Sequence, residues 1–378
     1  RDSSLVFLPS AHITQRFGME LLPIRHGIQT WFSEGLSKMP SELRAVRPTL
    51  FVAPPRVWER MYASITTEIR KKPAAIRKLF YMGLGVGAAV SQARQQNRKP
   101  APWHLASLKF FDSFVFSKIR ERLGGRLKVA LSGSAPLGKG LAEFYASIGM
   151  PLTEGYGLTE GGVVTLNPIG RPRAGSIGLP LPGTELKIAE DGELLVRGET
   201  VFSGYYKDPG STAAVLRDGW LHTGDIGNLD DRGFLRITDR KKDLFKTSGG
   251  KYVAPSAIES IFMGVCPYAS ALIVHGDGRN FVSALVTLDP DAMAGWAAEN
   301  AMSGRSYADL VSSPEAREMV QGYIDVLNAR LNRWETIKKF LILSRDLSIE
   351  EGDLTPSMKL KRRVVAKKYK DELDSLYP

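Results

Sequence analysis

Short apolar runs alternate with turn residues near the start of the chain, a pattern that predicts buried strands joined by loops. Residues 5–8 and 49–52 are two such runs. The pair Pro54-Pro55 predicts the start of a helix, because proline is tolerated in the first helical turn. Residues 74–123 then follow a helical pattern that is interrupted at 99–102. The first third of the chain therefore predicts strands and helices in alternation.

The next apolar run, residues 127–131, predicts a buried parallel strand. It leads into a Ser/Gly loop, Ser132-Gly133-Ser134-Ala135-Pro136, and then into an apolar helical segment at 137–148. Open α/β sheets bind their ligands at such strand-to-helix loops. We therefore expect an α/β domain with a ligand site at the 132–136 loop.

The pattern changes at about residue 176, where short strands such as 193–197 and 234–238 recur between tight turns. This spacing predicts an antiparallel, barrel-like subdomain. After the charged run at 239–243, a third pattern predicts a compact α+β domain. Its expected elements are a helix around Ile258, strands at 271–274 and 282–288, a helix at 315–331 and a strand at 340–343.

Three regions follow from these changes of pattern. Residues 1–175 form the α/β part of a large N-terminal domain, which we expect to be incomplete in this chain. Residues 176–241 form its β-barrel-like subdomain, and residues 242–378 form a smaller α+β C-terminal domain. The chain starts inside an apparent buried strand, so we expect a segment to precede it.

Composition narrows the class of protein. The 378 residues are 43% hydrophobic and 24% charged, as in ordinary globular proteins, and the single cysteine, Cys266, excludes an internal disulfide. No apolar stretch reaches 18 residues, and no signal peptide is apparent. A cytoplasmic location is the expectation.

The net charge is +11, and part of it is concentrated in the basic segment 359–370. Such a segment can contact ligand phosphates, a nucleic acid or an anionic membrane. Nothing resembles a nucleic-acid-binding motif, so we expect no nucleic-acid partner. Peripheral membrane association is a weaker hypothesis.

The most informative segment is Glu154-Gly155-Tyr156-Gly157-Leu158-Thr159-Glu160-Gly161-Gly162. Glycines allow close backbone approach, the tyrosine offers a flat face, and a hydroxyl and a carboxylate suit a phosphate and a cation. The plainer alternative is a tight surface turn. Neither G-x-x-x-x-G-K-[ST] nor G-x-G-x-x-G occurs here, which excludes an ordinary P-loop and a dinucleotide-binding unit.

Other motifs accompany this segment in a fixed order: Leu8-Pro9-Ser10-Ala11-His12, Ser132-Gly133-Ser134-Ala135-Pro136, Gly219-Trp220-Leu221-His222-Thr223-Gly224-Asp225, Asp239-Arg240-Lys241-Lys242-Asp243, Lys246-Thr247-Ser248-Gly249-Gly250-Lys251 and Leu354-Thr355-Pro356-Ser357-Met358-Lys359. The ordered set resembles the adenylate-forming superfamily, and within it the long-chain fatty acid–CoA ligases. The resemblance extends over nearly the whole chain. It implies an α/β fold, with a large N-terminal domain of mixed and parallel sheets, a small barrel-like subdomain and a mobile C-terminal domain.

The resemblance also implies a two-step reaction. A long-chain fatty acid attacks the α-phosphate of Mg-ATP to give acyl-AMP and pyrophosphate, and CoA then displaces AMP. The implied cofactors and substrates are ATP/AMP, Mg²⁺ and coenzyme A.

Residue roles carry over by position. The resemblance places Tyr156 against adenine, beside Gly155, Gly157 and the Ser134-Ala135-Pro136 loop. Thr159 corresponds to the α-phosphate contact, and Glu160 to the magnesium ligand. Asp225 and Arg240 correspond to ribose contacts, and a carboxylate suits a diol because it accepts more than one hydrogen bond.

The remaining roles concern catalysis and thioester formation. Lys359 corresponds to the lysine that enters the site during adenylation, although Met358-Lys359 stands where many relatives have Gly-Lys, and Lys361 is an alternative. Lys242 corresponds to a hinge, and Gly249, Gly250 and Lys251 to the path of the pantetheine arm. His12 corresponds to a residue facing the acyl and adenylate site.

Each residue also has a plainer structural interpretation. Tyr156 and His12 would be packing or hydrogen-bonded residues, Asp225 a turn former, and Glu160, Arg240 and Lys359 solvated charges. Aromatic residues at 103–116 could line an acyl tunnel, but phenylalanines at helical spacing are core residues by default. We expect most of Phe110, Phe111, Phe114 and Phe116 either to lie in the core or to line such a tunnel.

One departure from the family pattern bears on activity. The Ser/Thr/Gly-rich phosphate loop, which lies upstream of the Leu-Pro-x-x-His segment in the family, does not occur in this sequence. We therefore expect little acyl-AMP formation by the 378 residues alone. The alternatives are an acyl-AMP ligase, an aryl- or medium-chain-CoA ligase, or an inactive nucleotide-binding fragment.

Overall fold

The computed structural model describes residues 1–36 and 38–378. Its contacts divide the chain into two compact units. The first consists of Arg1–Pro55 and Lys72–Ile237, and the second of Arg56–Lys71 and Thr238–Pro378. The domain boundaries inferred from the sequence stay predictions.

The central layer of the first unit is a seven-stranded sheet with the order β2-β1-β3-β4-β5-β6-β7. Its strands are β1 (Ser3–Val6), β2 (Gln29–Phe32), β3 (Leu50–Ala53), β4 (Val129–Ser132), β5 (Leu152–Leu158), β6 (Gly162–Leu166) and β7 (Leu179–Pro180). The first five strands pair in parallel, and β6 and β7 continue antiparallel. The predicted strands at 5–8, 49–52 and 127–131 are thus confirmed with shifts of one or two residues.

Helices connect the parallel strands, as a parallel sheet requires. They are α1 (Ile13–Gln15), α2 (Leu22–His26), α3 (Met39–Val46), α4 (Pro55–Arg70), α5 (Ala74–Gln95), α6 (Pro102–Phe111), α7 (Ser117–Glu121) and α8 (Lys139–Ser147). Residues 56–70 of α4 belong to the second unit by their contacts. Two π-helical segments, Arg16–Leu21 and Asp112–Phe116, lie between them. The predicted helix start at Pro55 and the break near residues 99–102 are confirmed.

The phenylalanines of this helical region divide into two pairs. Phe111 and Phe116 are buried, and both rings approach Gly83 of α5, whereas Phe110 and Phe114 are about half exposed. Phe111 and Phe116 are therefore core residues, as expected for two of the four, and a tunnel-lining position of Phe110 and Phe114 stays a prediction. Phe110 and Phe114 are four residues apart, as are Phe111 and the buried Val115, and residues at this spacing share a helix face.

The first unit also contains a smaller sheet with the order β10-β11-β9-β8, in which β12 also pairs with β11. Its strands are β8 (Thr184–Ile188), β9 (Glu193–Gly198), β10 (Leu216–Arg217), β11 (Trp220–Leu229) and β12 (Leu235–Arg240), and the short helix α9 (Pro209–Val215) precedes β10. The β8–β9, β9–β11 and β10–β11 pairs are antiparallel, as the short-strand pattern predicts. Leu194, Val196, Leu221 and Leu235 form its core with Val164 of β6.

The second unit is built on a three-stranded sheet, β15 (Ala269–His275), β16 (Val282–Leu288) and β17 (Ile337–Ile342), with the hairpin β13 (Phe245–Lys246) and β14 (Tyr252–Val253). Its further helices are α10 (Pro255–Val265), α11 (Pro290–Glu299), α12 (Tyr307–Val311), α13 (Pro314–Asn328), α14 (Arg362–Lys368) and α15 (Lys370–Ser375). Every residue of β16 is buried, as expected for the central strand of the sheet. No helix within the described residues is long and apolar enough to cross a membrane.

Candidate functional site

The glycine-rich segment lies on β5, which changes its pairing partner part-way along. Residues up to Glu154 pair in parallel with β4, whose Ser132 is opposite Glu154. From Gly155 onward the strand pairs antiparallel with β6, and Tyr156 is opposite Thr165. The segment is therefore mainly strand, with a turn only at 159–161, and it extends beyond the end of β4.

The Ser/Gly loop after β4 lies directly beside this extension. A Cβ added to Gly133 would lie 3.4 Å from the Gly155 carbonyl oxygen. Ser134 has a φ of 73°, a left-handed conformation that is uncommon for a residue other than glycine. Ala135 and Pro136 are exposed. The two motifs predicted to flank one ligand are thus neighbours in the sheet.

Gly157 is required where β5 and β6 approach each other. A Cβ at this position would lie 2.3 Å from the carbonyl oxygen of Gly162, which is closer than any side chain tolerates. Only glycine therefore permits this pairing of the two strands.

Tyr156 reaches from the large sheet to the smaller one. Its hydroxyl donates a hydrogen bond to Oδ2 of Asp225, with 2.5 Å between the oxygens. Asp225 is 5% exposed, and a carboxylate accepts up to about four hydrogen bonds, so this bond leaves acceptor capacity. The structure therefore brings together the residues expected at the base and at the ribose.

A bulge in β11 positions Asp225. The register with β9 shifts between His222 and Ile226, so residues 223–225 leave the regular ladder. The Glu193 carboxylate accepts a hydrogen bond from the Gly224 amide at 2.9 Å and lies 3.3 Å from Nδ1 of His222. Thr223 Oγ1 donates to the Leu194 carbonyl and accepts from the Asp225 amide. Glu193 and Thr223 together fix this turn.

Thr159 and Glu160 occupy the turn between β5 and β6. Thr159 is exposed, and the Glu160 carboxylate accepts a hydrogen bond of 2.8 Å from the Tyr205 hydroxyl. This hydrogen bond raises the pKa of Tyr205. The amide of Phe202 donates to the backbone carbonyl of Glu160 at 2.8 Å. Residues 202–205 therefore hydrogen-bond to both the backbone and the side chain of Glu160.

Glu154 is a buried carboxyl group beside the Ser/Gly loop. It is 4% exposed, and burial raises its pKa to about 8, an effect that a hydrogen bond with the Leu137 backbone offsets in part. At neutral pH this side chain is therefore mostly an uncharged acid. Its neighbour in the next strand is Ser132.

His12 follows β1 in the same sheet. It caps helix α1, where its Nδ1 accepts a hydrogen bond from the Thr14 amide at 3.2 Å. Because β1, β3 and β4 are parallel, His12 lies at the same end of the sheet as the 132–136 loop, with β3 between them. Its capping bond accords with the plainer structural interpretation.

Lys359 belongs to a tight hairpin of the second unit. Thr355 donates its amide to the Lys359 carbonyl at 2.8 Å and accepts the Lys359 amide on Oγ1 at 2.9 Å. Met358 at the turn has a φ of 64°, a left-handed conformation that favours glycine. Lys361 is exposed and precedes α14.

The base of this hairpin is held by an ion pair. Arg362 donates two hydrogen bonds to the Glu259 carboxylate at 2.7 and 2.6 Å. Bidentate pairs of this kind impose a defined geometry. Arg362 therefore fixes the position from which Lys359 extends.

The predicted hinge residue, Lys242, lies in a turn that follows β12. Asp239 is buried, and it accepts hydrogen bonds from the Arg240 amide and from the amide and hydroxyl of Ser256. Burial raises its pKa. Arg240 and Lys242 are exposed. The hinge role of Lys242 stays a prediction.

Residues 247–251 form a second turn of this unit. The Thr247 amide donates to the Lys251 carbonyl at 3.0 Å, and the Gly250 amide to the Thr247 carbonyl at 2.8 Å. Gly250 has a φ of 74°, which favours glycine. Gly249, Gly250 and Lys251 are all exposed.

Three contributors to these sites escape sequence reasoning. Glu193 hydrogen-bonds to Gly224, 31 residues away along the chain. Tyr205 hydrogen-bonds to Glu160, 45 residues away. Glu154 hydrogen-bonds to the backbone of Leu137, 17 residues away. Glu193 reads as the start of an ordinary strand, and Tyr205 as an exposed aromatic. Of the three, only Glu154 has a local sequence signal for a place near the site, because it stands in the glycine-rich segment.

Comparison with known proteins agrees with this arrangement. Residues 1–206 match the model of the AMP-binding enzyme family, and residues 242–378 match that of the AMP-binding enzyme C-terminal domain. The chain belongs to the AMP-binding enzyme family. The resemblance inferred from the motifs is thus confirmed.

Among curated proteins, the chain is 38% identical over 376 residues to the long-chain-fatty-acid–CoA ligase FadD15 of Mycobacterium tuberculosis. It is 32% identical over 395 residues to the long-chain-fatty-acid–CoA ligase 5 of Mus musculus. These alignments cover 99% and 100% of the chain, but 62% and 56% of the relatives. The chain therefore spans about three fifths of the length of these members of the family.

Solved structures confirm the predicted adenylate-forming fold. The adenylation domain of a carboxylate reductase from Mycobacterium chelonae superposes with a TM-score of 0.73 at 24% identity, over 99% of this chain and 53% of that one. The corresponding domain from Segniliparus rugosus, in complex with AMP and a co-purified carboxylic acid, gives 0.69 at 24% identity, over 99% of this chain and 54% of that one. At this identity the likeness extends to the fold alone.

Proposed function

We propose that this chain is part of a long-chain fatty acid–CoA ligase, which converts a fatty acid, ATP and CoA into acyl-CoA, AMP and pyrophosphate. The observation that carries the proposal is the hydrogen bond between Tyr156 and Asp225. An aromatic ring and a carboxylate, a group that can accept hydrogen bonds from a diol, are thus in contact, and Gly155 beside the tyrosine adjoins Gly133 of the Ser/Gly loop. The names of the curated relatives support the substrate class.

The proposed roles in nucleotide binding are those that the family resemblance implies, and the contact between Tyr156 and Asp225 supports them. The Tyr156 ring stacks on adenine between Gly155 and Gly157, and the Ser134-Ala135-Pro136 loop borders the base. Asp225 accepts the ribose hydroxyls, and Arg240 adds a second ribose contact. Thr159, exposed in the turn that follows, donates to the α-phosphate.

Magnesium fits the donor set at the same turn. Mg²⁺ is ordinarily bound by one or two carboxylates together with substrate phosphates and waters. Glu160 supplies such a carboxylate, oriented by Tyr205. No cluster of three or more acidic, histidine or cysteine side chains suited to a metal occurs within the described residues. Bound there, Mg²⁺ would neutralise charge on the phosphates.

The first half-reaction is attack of a carboxylate oxygen on the α-phosphorus. The new P–O bond forms as the bond to the pyrophosphate oxygen breaks. Lys359 stabilises the negative charge that develops between these groups, an electrostatic role. His12, at the same end of the sheet as the 132–136 loop, faces the acyl group.

The second half-reaction requires Lys359 to withdraw. A rotation about Lys242 replaces it with the 247–251 turn, where Gly249 and Gly250 leave room for the pantetheine arm and Lys251 borders it. The CoA sulfur then bonds to the acyl carbon, the bond to AMP breaks, and the thiol proton is released. Two productive states of one mobile domain thus serve both steps.

A thioester assay tests the proposal. The protein that carries this chain is incubated with ATP, Mg²⁺, CoA and a panel of palmitate, octanoate and benzoate. We expect acyl-CoA from palmitate in preference to the other two acids. Acyl-AMP without thioester would indicate an acyl-AMP ligase, and preference for octanoate or benzoate would refute the long-chain assignment. The same assay on membrane and soluble fractions tests the weaker hypothesis of peripheral membrane association.

A further inference from the structure

The helices α5 and α6 of the first unit lie in the segment that has most of the positive charge of the chain. Between Lys72 and Arg122 the sequence has ten lysines and arginines but only two acidic residues, Asp112 and Glu121. The segment therefore has a net charge of +8, out of +11 for the whole chain. No acidic residue occurs between Glu68 and Asp112, a stretch that includes both helices entirely.

One face of α6 and of the π-helical segment after it exposes a row of aromatic rings. Trp103, Phe110 and Phe114 are 63%, 51% and 58% exposed. They are seven and four residues apart, a spacing that places side chains on one helix face. The rings of Phe110 and Phe114 have centroids 4.9 Å apart. Phe111 and Phe116, on the opposite face, are buried against α5.

Lysines flank this aromatic row. Lys99 precedes α6, Lys109 stands next to Phe110 in the sequence, and Lys118 follows Phe114 by four residues. All three lysines are exposed, and within the described residues none of them makes an ion pair. The row is therefore an apolar strip bordered by positive charges that no carboxylate of the chain neutralises.

The basic segment 359–370 differs in this respect. Its Arg362, Lys368 and Lys370 each make ion pairs with carboxylates of the second unit. Part of its charge is thus used within the fold. The flanking lysines of the aromatic row are more available to an anionic partner.

The combination of rings and lysines favours a lipid surface over other partners. Helices that lie in the membrane interface have Trp, Phe and Leu on one face and Lys and Arg beside them. Anionic headgroups attract the cations, while the rings enter the boundary of the acyl chains. Protein–protein interfaces are instead depleted of lysine. The exposed Ala106, on the same face, adds apolar surface that the bases and phosphates of a nucleic acid would not use.

We propose that the aromatic row of Trp103, Phe110 and Phe114 docks on an anionic membrane surface. The three rings enter the interface between headgroups and acyl chains, and the flanking lysines bind the headgroup phosphates. This assignment gives the hypothesis of peripheral membrane association a defined surface, and it does not depend on the reaction proposed above. A bilayer is also where a long-chain fatty acid accumulates, because burial of its methylene groups is favourable.

Flotation with lipid vesicles tests the proposal. The protein that carries this chain should bind vesicles containing phosphatidylglycerol at least tenfold more strongly than vesicles of phosphatidylcholine alone, and less strongly as salt is raised. We expect Phe110→Gln/Phe114→Gln and Lys109→Gln/Lys118→Gln each to weaken this binding at least tenfold. The replaced side chains are all exposed, so the fold should be retained. Equal binding by the wild type and both variants would overturn the proposal.

Two control variants change residues outside the helical segment. Phe32→Gln removes a phenylalanine that is 77% exposed on β2, and Arg363→Gln/Lys367→Gln removes two exposed cations of the segment 359–370. Both should bind the vesicles as the wild type does. Loss of binding in Arg363→Gln/Lys367→Gln alone would overturn the proposal in favour of the basic segment.

A fluorescent label reports whether the aromatic row enters the lipid. The single cysteine, Cys266, is buried, so Phe114→Cys can be labelled at one position with an environment-sensitive dye. We expect a blue shift of its emission on addition of phosphatidylglycerol vesicles, and none for the same dye on Phe32→Cys. A shift at position 32 without one at position 114 would overturn the proposal.

Further measurements separate other partners and the proposed reaction. A single-stranded oligonucleotide that displaces the vesicles, and that the two helical variants no longer bind, would overturn the proposal in favour of a nucleic acid. Self-association without lipid that Phe110→Gln/Phe114→Gln abolishes, with no vesicle binding, would overturn it in favour of a second copy of the chain. Thioester formation without vesicle binding would overturn this inference alone. Vesicle binding as expected, without thioester from any carboxylate, would overturn the proposed function alone.

Discussion

The Tyr156 hydroxyl donates a hydrogen bond of 2.5 Å to Oδ2 of Asp225, across 69 residues of sequence. This bond joins the large sheet to the smaller antiparallel sheet of the first unit. It orients the tyrosine ring and the carboxylate with respect to each other before any ligand arrives. Preorganisation of this kind lowers the cost of binding.

Replacement of Tyr156 separates the ring from the hydroxyl. Tyr156→Ala should weaken AMP binding by about 1–3 kcal/mol, because a base–aromatic stack is lost. Tyr156→Phe keeps the ring and removes only the bond to Asp225, so a loss of about 0.5–1.5 kcal/mol is expected. Calorimetric titration with AMP measures both. Stronger binding by the alanine variant than by phenylalanine would show that the ring does not stack.

Glu193 is expected to act as a positioning residue for Asp225. Glu193→Ala leaves the Gly224 amide without its acceptor, which should lower the free energy of unfolding by about 1–3 kcal/mol. The displaced bulge should also raise the KM for ATP several-fold, with an unchanged KM for CoA.

Two variants control this experiment. Glu193→Gln keeps an acceptor for Gly224 and should retain most of the stability and affinity. Glu185→Ala removes an exposed glutamate of the adjacent strand, whose pair with Arg197 is worth at most about 1 kcal/mol. An unchanged ATP KM in Glu193→Ala would contradict the positioning role.

Glu154 should make stability depend on pH. Its pKa is about 8 in the folded chain, against an ordinary value of 4.5. Between these values the folded state retains a proton that the unfolded state releases, so stability is fully present below about pH 4.5 and is lost as the pH rises through about 8. The slope from this one group is at most about 1.4 kcal/mol per pH unit.

Urea unfolding at pH 5.5 and pH 8 measures this dependence. Glu154→Gln keeps the shape without a titrating proton, so it should lose less stability than the wild type between the two values. Glu143→Gln, at an exposed position of α8, should behave as the wild type. Identical pH profiles for all three proteins would contradict a buried, protonated Glu154.

Lys359 and Lys361 are separated by testing the two half-reactions. In the complete enzyme, Lys359→Ala should abolish ATP–pyrophosphate exchange, because the developing charge loses its cation, and should largely spare thioester formation from supplied acyl-AMP. Lys361→Ala should retain both activities. If Lys361→Ala alone abolishes the exchange, the catalytic lysine is two residues further on. Equal loss of both half-reactions in Lys359→Ala would refute a role confined to adenylation.

The alternating strands and helices are predictable because burial and turn residues leave a local periodic signal. Strand β16, for example, is found at the predicted bounds 282–288. The exposure of Phe110 and Phe114 is not predictable in this way, because phenylalanines stand on both the buried and the exposed face of this helical region. The burial of individual residues on a partly buried helix is therefore what the sequence predicts least well.

The site shows the same limit. Motif order is sufficient to name Tyr156 and Asp225, and the structure places them in contact. The residues that fix them, Glu193 and Thr223, act through bonds to backbone atoms of another strand. Such bonds depend on strand register and on a bulge, which no local pattern encodes.

The most direct test of the adenylate site is the affinity of the protein for a non-hydrolysable acyl-adenylate analogue, palmitoyl sulfamoyl adenosine, measured by calorimetry. Saturable one-to-one binding is expected, weakened at least tenfold by Asp225→Ala, since hydrogen bonds to a charged group contribute about 1.5–3 kcal/mol. Asp231→Ala, in an exposed turn before β12, serves as the matched control and should bind as the wild type. Absence of saturable binding, or equal affinity of wild type and Asp225→Ala, would contradict the account.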